Sequence, residues 1–174
     1  MKGRTNERIL ALHPHTAGIA FVAFDSPLNP VDWGVKEVRG ARKNARSLII
    51  VGRLVERLQP SMLILADRQG PQDRPTPRIR RLQKQLQNYA EGESIDVALF
   101  SRADIRHSFQ SVGAVTRYEI AQAVAARIHV FRDRLPKAPS IWRSQTERLG
   151  LFDAASLAMT YYCLTSKQLS WNAS

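Results

Sequence analysis

Three kinds of side chain in this sequence carry chemistry: two histidines, His13 and His15, at the end of an apolar run; two aspartates, Asp67 and Asp153, at the edges of other apolar runs; and an excess of arginine. Lys and Arg number 26 against 15 Asp and Glu, giving a net charge of +11. That balance favours a polyanionic partner, nucleic acid first, over an acidic small molecule. Arg outnumbers Lys, which suits bidentate phosphate contacts, although a basic surface serving solubility alone has the same composition. The cluster Arg78, Arg80, Arg81 and Lys84 lies on one helical segment, as an electrostatic track or as a solvated face. The histidine pair suits a borderline ion such as Mn²⁺ or Zn²⁺, and a strand-end histidine equally serves as a hydrogen-bonding group. Asp67 is a ligand or the cap of its own loop. Asp153 is a ligand or the N-cap of the last helix.

These residues depend on the elements that position them. Apolar runs at 8–13 and 18–24, joined by the turn chemistry of HPHTAG, predict a hairpin, and a third strand is expected at about 32–38. Over 41–58, Ala45, Leu48, Val51, Leu54, Val55 and Leu58 recur at helical spacing with arginines between them, so an amphipathic helix is expected there. SMLILA at 61–66 is a continuous apolar run of the kind buried on both faces of a sheet. A polar loop at 67–77 leads into a helix to about Glu91, with Pro77 suited to its first position. A strand at 95–100 follows, then SRADIRHSFQSVGAV and a helix over 116–131 whose Thr116 and Glu119 have capping-box spacing. A basic, Pro-containing stretch at about 132–148 is expected to cross the surface before the helix FDAASLAMTYYCL closes the chain.

This order predicts one mixed sheet with helices on both of its faces. The helix 41–58 is long enough to be a crossover, which places strands 8–13 and 61–66 side by side and parallel. Sites in open sheets lie beyond the carboxyl ends of parallel strands, so the residues that bear on a site are His13, Ala66, Asp67 and the last helix with its Asp153, although Ala66 and Asp67 cannot both point there while the strand stays regular. The one cysteine, Cys163, forms no internal disulfide, which fits a reducing compartment. The opening MKGRTNER lacks an apolar signal core, and no run of about 18 apolar residues is present, so a soluble, cytoplasmic protein is expected.

With these elements in place the chain resembles the RNase H-like superfamily, and within it the RuvC-type Holliday junction resolvases. ILALHPHTAG is similar to the first strand and turn, PSMLILAD to the fourth strand and FSRADIRHSF to the segment after the fifth. TRYEIAQAVAARI is similar to the next helix and DAASLAMTYY to the closing carboxylate helix. The resemblance implies an α/β fold over residues 1–174: a mixed five-stranded sheet, three antiparallel strands and then alternating strand and helix. It implies a homodimer on branched or four-way junction DNA, since a two-fold protein answers a two-fold substrate. It also implies two divalent ions, Mg²⁺ or Mn²⁺, roughly 4 Å apart between carboxylates.

Carried over position by position, the first-strand carboxylate falls on His13 and the fourth-strand carboxylate on Ala66, with Asp67 one residue further on. The closing helix keeps Asp153, while the position one turn earlier is Gly150 and the nearest spare carboxylate is Glu147. The implied catalytic and metal set is thus His13, Asp67 and Asp153, departing from the family pattern at His13 and Ala66. The resemblance places Arg106 and Arg117 where resolvases carry lysines near the scissile phosphate, with Arg68, His107, Arg78 and Arg81 extending the DNA-binding surface. Phe109 and Trp142 are wedges or stacking platforms at a junction, or else packing residues. The function implied is RuvC-like binding of branched DNA with a degenerate metal set and no cofactor. The alternative is an active divalent-metal-dependent, structure-selective endonuclease, a crossover junction endodeoxyribonuclease.

Overall fold

A computed structural model describes residues 7–70, 73–137 and 149–165. Five strands, β1 (Ile9–His15), β2 (Gly18–Ser26), β3 (Asn29–Glu37), β4 (Met62–Ala66) and β5 (Asp96–Phe100), form one sheet in the order β3-β2-β1-β4-β5. β1, β2 and β3 pair antiparallel, while β1–β4 and β4–β5 pair parallel. The adjacency of β1 and β4 expected from the crossover length is therefore present. Between the strands run helices α1 (Lys43–Leu58), α2 (Pro77–Gly92), α3 (Arg102–Phe109), α4 (Arg117–Arg127) and α5 (Gly150–Leu164).

Strand alternation sorts the core into two layers. Ile9 and Ala11 of β1, Ala20, Val22 and Phe24 of β2 and Ile64 of β4 face α4 and α5. Their neighbours Leu10, Leu12, Ile19, Phe21, Leu63 and Leu65 face α1 and α2. Helices thus cover both faces, as expected. The side with α5 is the drier, because most residues of α5, from Gly150 to Tyr162, are buried. An all-round apolar helix of this kind belongs against the sheet centre.

Several expectations need correction. β1 runs to His15, two residues past the expected end at His13, so the hairpin turn shrinks to Thr16 and Ala17. The ladder from β1 to β4 stops at Ala11 opposite Ile64, so Pro14 lies where β1 has β2 as its one hydrogen-bonded neighbour. β3 begins at Asn29, with Pro30 tolerated because β3 is an edge strand. The stretch after β5 is a helix, α3, started by a reciprocal Ser101–Asp104 capping box. The helix expected over 116–131 ends at Arg127 and is followed by a 3₁₀ turn, His129–Arg134, whose Phe131 is fully buried rather than on a surface crossing. Phe109 is also fully buried, which makes it a packing residue and not a wedge. Trp142, Glu147 and the stretch 138–148 lie outside the described residues.

Other local signals are realised. Thr116 caps α4 and Glu119 reaches back to the Thr116 and Val115 N–H groups, which hold its carboxyl below the usual carboxylate range. Pro77 opens α2 behind a Thr76 cap. Among the described residues no helix is long and apolar enough to cross a membrane.

The β1–β2 hairpin depends on Gly18. A Cβ there would lie 2.0 Å from the backbone oxygen of Lys36 on β3, a contact that backbone must move to relieve. Gly18→Ala should therefore cost about 2–3 kcal/mol in a urea unfolding titration. A loss below about 0.5 kcal/mol would contradict this close approach of β2 and β3.

Candidate functional site

The site forms where β1 and β4 part. Odd-numbered residues of β1 and even-numbered residues of β4 face α5, so His13 and Ala66 both point toward that helix. Asp153 sits in the first turn of α5 and brings its carboxylate to His13, with His13 Nε2 3.3 Å from Asp153 Oδ2. The N-cap of α5 is Leu149, and the Asp153 N–H donates to the Leu149 carbonyl, so Asp153 is not the cap. Gly150, one turn earlier on the same face, is pressed against the hairpin. A Cβ on it would stand 3.4 Å from the Ala20 Cβ and 3.7 Å from the His15 ring. The histidine ring thus fills the space beside the position where a further ligand was expected.

Arginines complete the cluster. Arg117, the first residue of α4, donates from Nε to Asp153 Oδ1 at 2.9 Å and from Nη2 to Asp153 Oδ2, a bidentate pair. Arg68, just beyond β4, donates from Nη2 to the Pro14 carbonyl at 3.1 Å, with the same nitrogen 3.5 Å from His13 Nδ1. Its guanidinium bridges the gap between the parted strands. Arg68 can only donate, so His13 Nδ1 is the acceptor and Nε2 carries the proton toward Asp153. Burial lowers the Arg68 pKa, partly opposed by Asp73 and Asp153.

A cleft of about 550 Å³ opens over this cluster. Five arginines, Arg68, Arg74, Arg102, Arg106 and Arg117, line it against three aspartates, Asp67, Asp73 and Asp153. Of the expected residues, the cleft therefore gathers His13, Asp67, Arg68, Arg106, Arg117 and Asp153. Asp67 is on its wall rather than in the cluster: its Oδ1 accepts the Gln69 N–H at 3.1 Å, the loop-capping role, and its own N–H donates to the Phe100 carbonyl. Arg78 is a structural clamp, not a surface cation. It donates to the His15 carbonyl at 3.1 Å, the Thr16 carbonyl and Asn44 Oδ1, tying α2 to the hairpin and α1. Arg80 and Lys84 line an adjoining groove that shares Arg68 with the cleft. His107 and Arg81 are exposed but line neither. Sequence reasoning missed Asp73 and Arg74, in the loop after β4, and Arg102, the first residue of α3 after β5, whose only signal was their place beyond the carboxyl ends of those strands.

The donor set does not fit a two-ion centre. Both His13 nitrogens are engaged, and both Asp153 oxygens accept from Arg117. Among the described residues no group of three or more His, Cys, Asp or Glu could hold a metal ion. His13, Asp67 and Asp153 thus share a cleft without forming the ligand cluster the resemblance implies.

Burial also pushes the His13 pKa down to about 4, against a raising effect of Asp153, with Arg68, Arg117 and His15 adding to the fall. The folded protein then holds His13 neutral where an unfolded chain, with its ordinary histidine, takes up a proton. Stability should be fully present above pH ~6.5 and fall by roughly 2–3 kcal/mol as the pH drops toward 4. Urea titrations of the natural chain and His13→Gln across that window check this. A decline equally steep in the variant would contradict it.

No family model matches the sequence, and no curated protein matches it. Solved structures do. The Thermus thermophilus RuvC structure is similar over 91% of this chain and 95% of that chain, at 14% identity and a TM-score of 0.65. The T. thermophilus RuvC in complex with Holliday junction substrate matches over 92% and 97%, at 13% identity and a TM-score of 0.68. The yeast mitochondrial Holliday junction resolvase matches over 93% and 80%, at 12% identity and a TM-score of 0.63. With the strand order and the two helical layers described above, these likenesses give the chain the mixed five-stranded α/β fold of the RuvC-type Holliday junction resolvases.

Proposed function

We propose that this chain is a RuvC-like DNA-binding protein that seats the backbone of branched DNA in the arginine-lined cleft. The observation that carries this reading is the convergence of Arg68 after β4, Arg102 and Arg106 on α3, and Arg117 at the start of α4, three separate parts of the chain, on one cleft at the carboxyl ends of β1, β4 and β5. Guanidinium groups of this density repel one another and lower their cost when phosphates lie between them. A solved structure of this fold holds a Holliday junction substrate. In this reading Arg68, Arg102 and Arg106 meet the backbone and Arg117 keeps the Asp153 carboxylate covered, while Arg80 and Lys84 continue the track along the adjoining groove. A homodimer would offer two clefts to the two equivalent strands of a four-way junction.

The endonuclease alternative would need His13, Asp67 and Asp153 to hold Mg²⁺ or Mn²⁺, and the hydrogen bonds at all three oppose it. Fluorescence anisotropy with a labelled four-way junction and a linear duplex of the same arms tests the binding reading, with light scattering for the dimer. Junction binding at least about tenfold tighter than duplex binding is the expected result. Equal affinities would leave general duplex binding in place of junction selectivity, and no binding at low salt would overturn the proposal.

A further inference from the structure

We propose that the cleft is an anion site assembled without metal, in which Arg117 occupies the Asp153 carboxylate and Arg68 presents its remaining N–H donors to a phosphoryl group. The inference deepens the DNA-binding reading, and for the larger ligand it rests on it.

Arg68 Nη2 faces His13 Nδ1, His13 Nε2 faces Asp153 Oδ2, and Arg117 grips both oxygens of the same carboxylate. Three donor-bearing groups thus lock one carboxylate and one imidazole. A divalent ion entering here would have to expel the Arg117 guanidinium from a bidentate pair and turn the His13 ring. Its reward would be one carboxylate and one neutral nitrogen, far short of the six oxygen ligands Mg²⁺ prefers.

A phosphate faces no such barrier. Arg68 is half-buried, and among the described residues only its Nη2 has partners, leaving Nε and Nη1 as donors at a cleft wall. A partly desolvated guanidinium with idle donors is costly until an anion arrives. Arg102, held loosely by Asp73 at 3.8 Å, and exposed Arg106 stand on the same wall to close around a tetrahedral anion. Charge that two ions supply elsewhere is supplied here by fixed side chains, so phosphate recognition needs no dissociable ion.

Two measurements on the protein without DNA test this. In EDTA, about 20 mM inorganic phosphate should raise Tm by roughly 3 °C over NaCl of equal ionic strength, as expected for a millimolar site. Arg68→Gln and Arg68→Met should each lose most of that rise, while Arg53→Gln on α1 should keep it. No rise in the natural chain, a rise that needs Mg²⁺, or an undiminished rise in both Arg68 variants would overturn the proposal. In electron paramagnetic resonance, Mn²⁺ alone should remain free beside an equal, ~100 µM concentration of protein. Capture of Mn²⁺ by the natural chain that Asp153→Asn abolishes would overturn it too. If phosphate binds in EDTA but junction DNA is not bound, the DNA reading fails and this one stands. If DNA binds only with Mg²⁺, this one fails and the DNA reading stands.

Discussion

Raising salt from about 50 to 200 mM should weaken junction binding roughly a hundredfold, and replacing Arg106 and Arg117 together with alanine should weaken it by a similar factor at fixed salt. The first figure follows from counterion release: the cleft offers about four cations beside the Arg117–Asp153 pair, and each neutralised phosphate adds nearly one unit to the log–log slope. The second follows from two different losses. Arg106 is exposed on the cleft wall, so its removal deletes a direct phosphate contact. Removing Arg117 uncovers the Asp153 carboxylate and adds a negative charge where DNA must lie. The double variant should also show a flatter salt slope, by roughly one to two units, which a merely unfolded protein would not show. Anisotropy across a salt series reads all three quantities, and unchanged affinity in the double variant would remove the cleft from the binding surface.

Phe131→Ala should destabilise the protein by about 3–5 kcal/mol and lower Tm by roughly 10 °C or more. Phe131 comes from the short 3₁₀ turn after α4 and is fully buried. Its ring meets Trp33 of edge strand β3 edge-on at 5.3 Å and Phe152 of α5 at 6.3 Å. One side chain therefore joins the outermost strand to the central helix, and its loss leaves a cavity between elements that cannot collapse together. Phe131→Leu should cost much less, about 1–1.5 kcal/mol. Neither variant should change junction affinity at a temperature where it is folded, because the ring is buried and does not line the cleft. A cost below about 1 kcal/mol for Phe131→Ala would contradict this packing.

The same residue marks the limit of what sequence can tell. Strand alternation over Ile9–Leu12 and Ile19–Phe24, the apolar run of β4 and the helical spacing of α1 are local signals. With crossover length they suffice to make the first three strands antiparallel, to set β1 beside β4 and to put helices on both faces, while the place of β5 and the residues of each layer come from the structure. Phe131 carries no such signal, since it stands alone in a basic stretch and is drawn inward by Trp33, 98 positions away by the numbering. Arg78 failed for a related reason. A charged helix face looks solvated until the carbonyls of His15 and Thr16 are known to lie beneath it. At the site, the positions of His13 and Asp153 were legible from strand ends and the closing helix. The meaning of the site was not, because it depends on Arg117 reaching Asp153 across 36 positions and on Arg68 filling the gap between β1 and β4. Asp67 looks identical in sequence whether it points into a cleft or caps its loop.

Under the proposed function, this fold binds branched DNA through arginines without assembling a cutting centre. A labelled four-way junction incubated with the protein in Mg²⁺, split between a native and a denaturing gel, tests it most directly. His13→Asp combined with Ala66→Glu serves as the variant in which carboxylates return to both strand positions. The natural chain should retard the junction on the native gel, in EDTA as in Mg²⁺, and leave every strand intact on the denaturing gel. Strands cut by the natural chain in Mg²⁺ as fast as by the doubly substituted one, or no retardation at low salt, would contradict it.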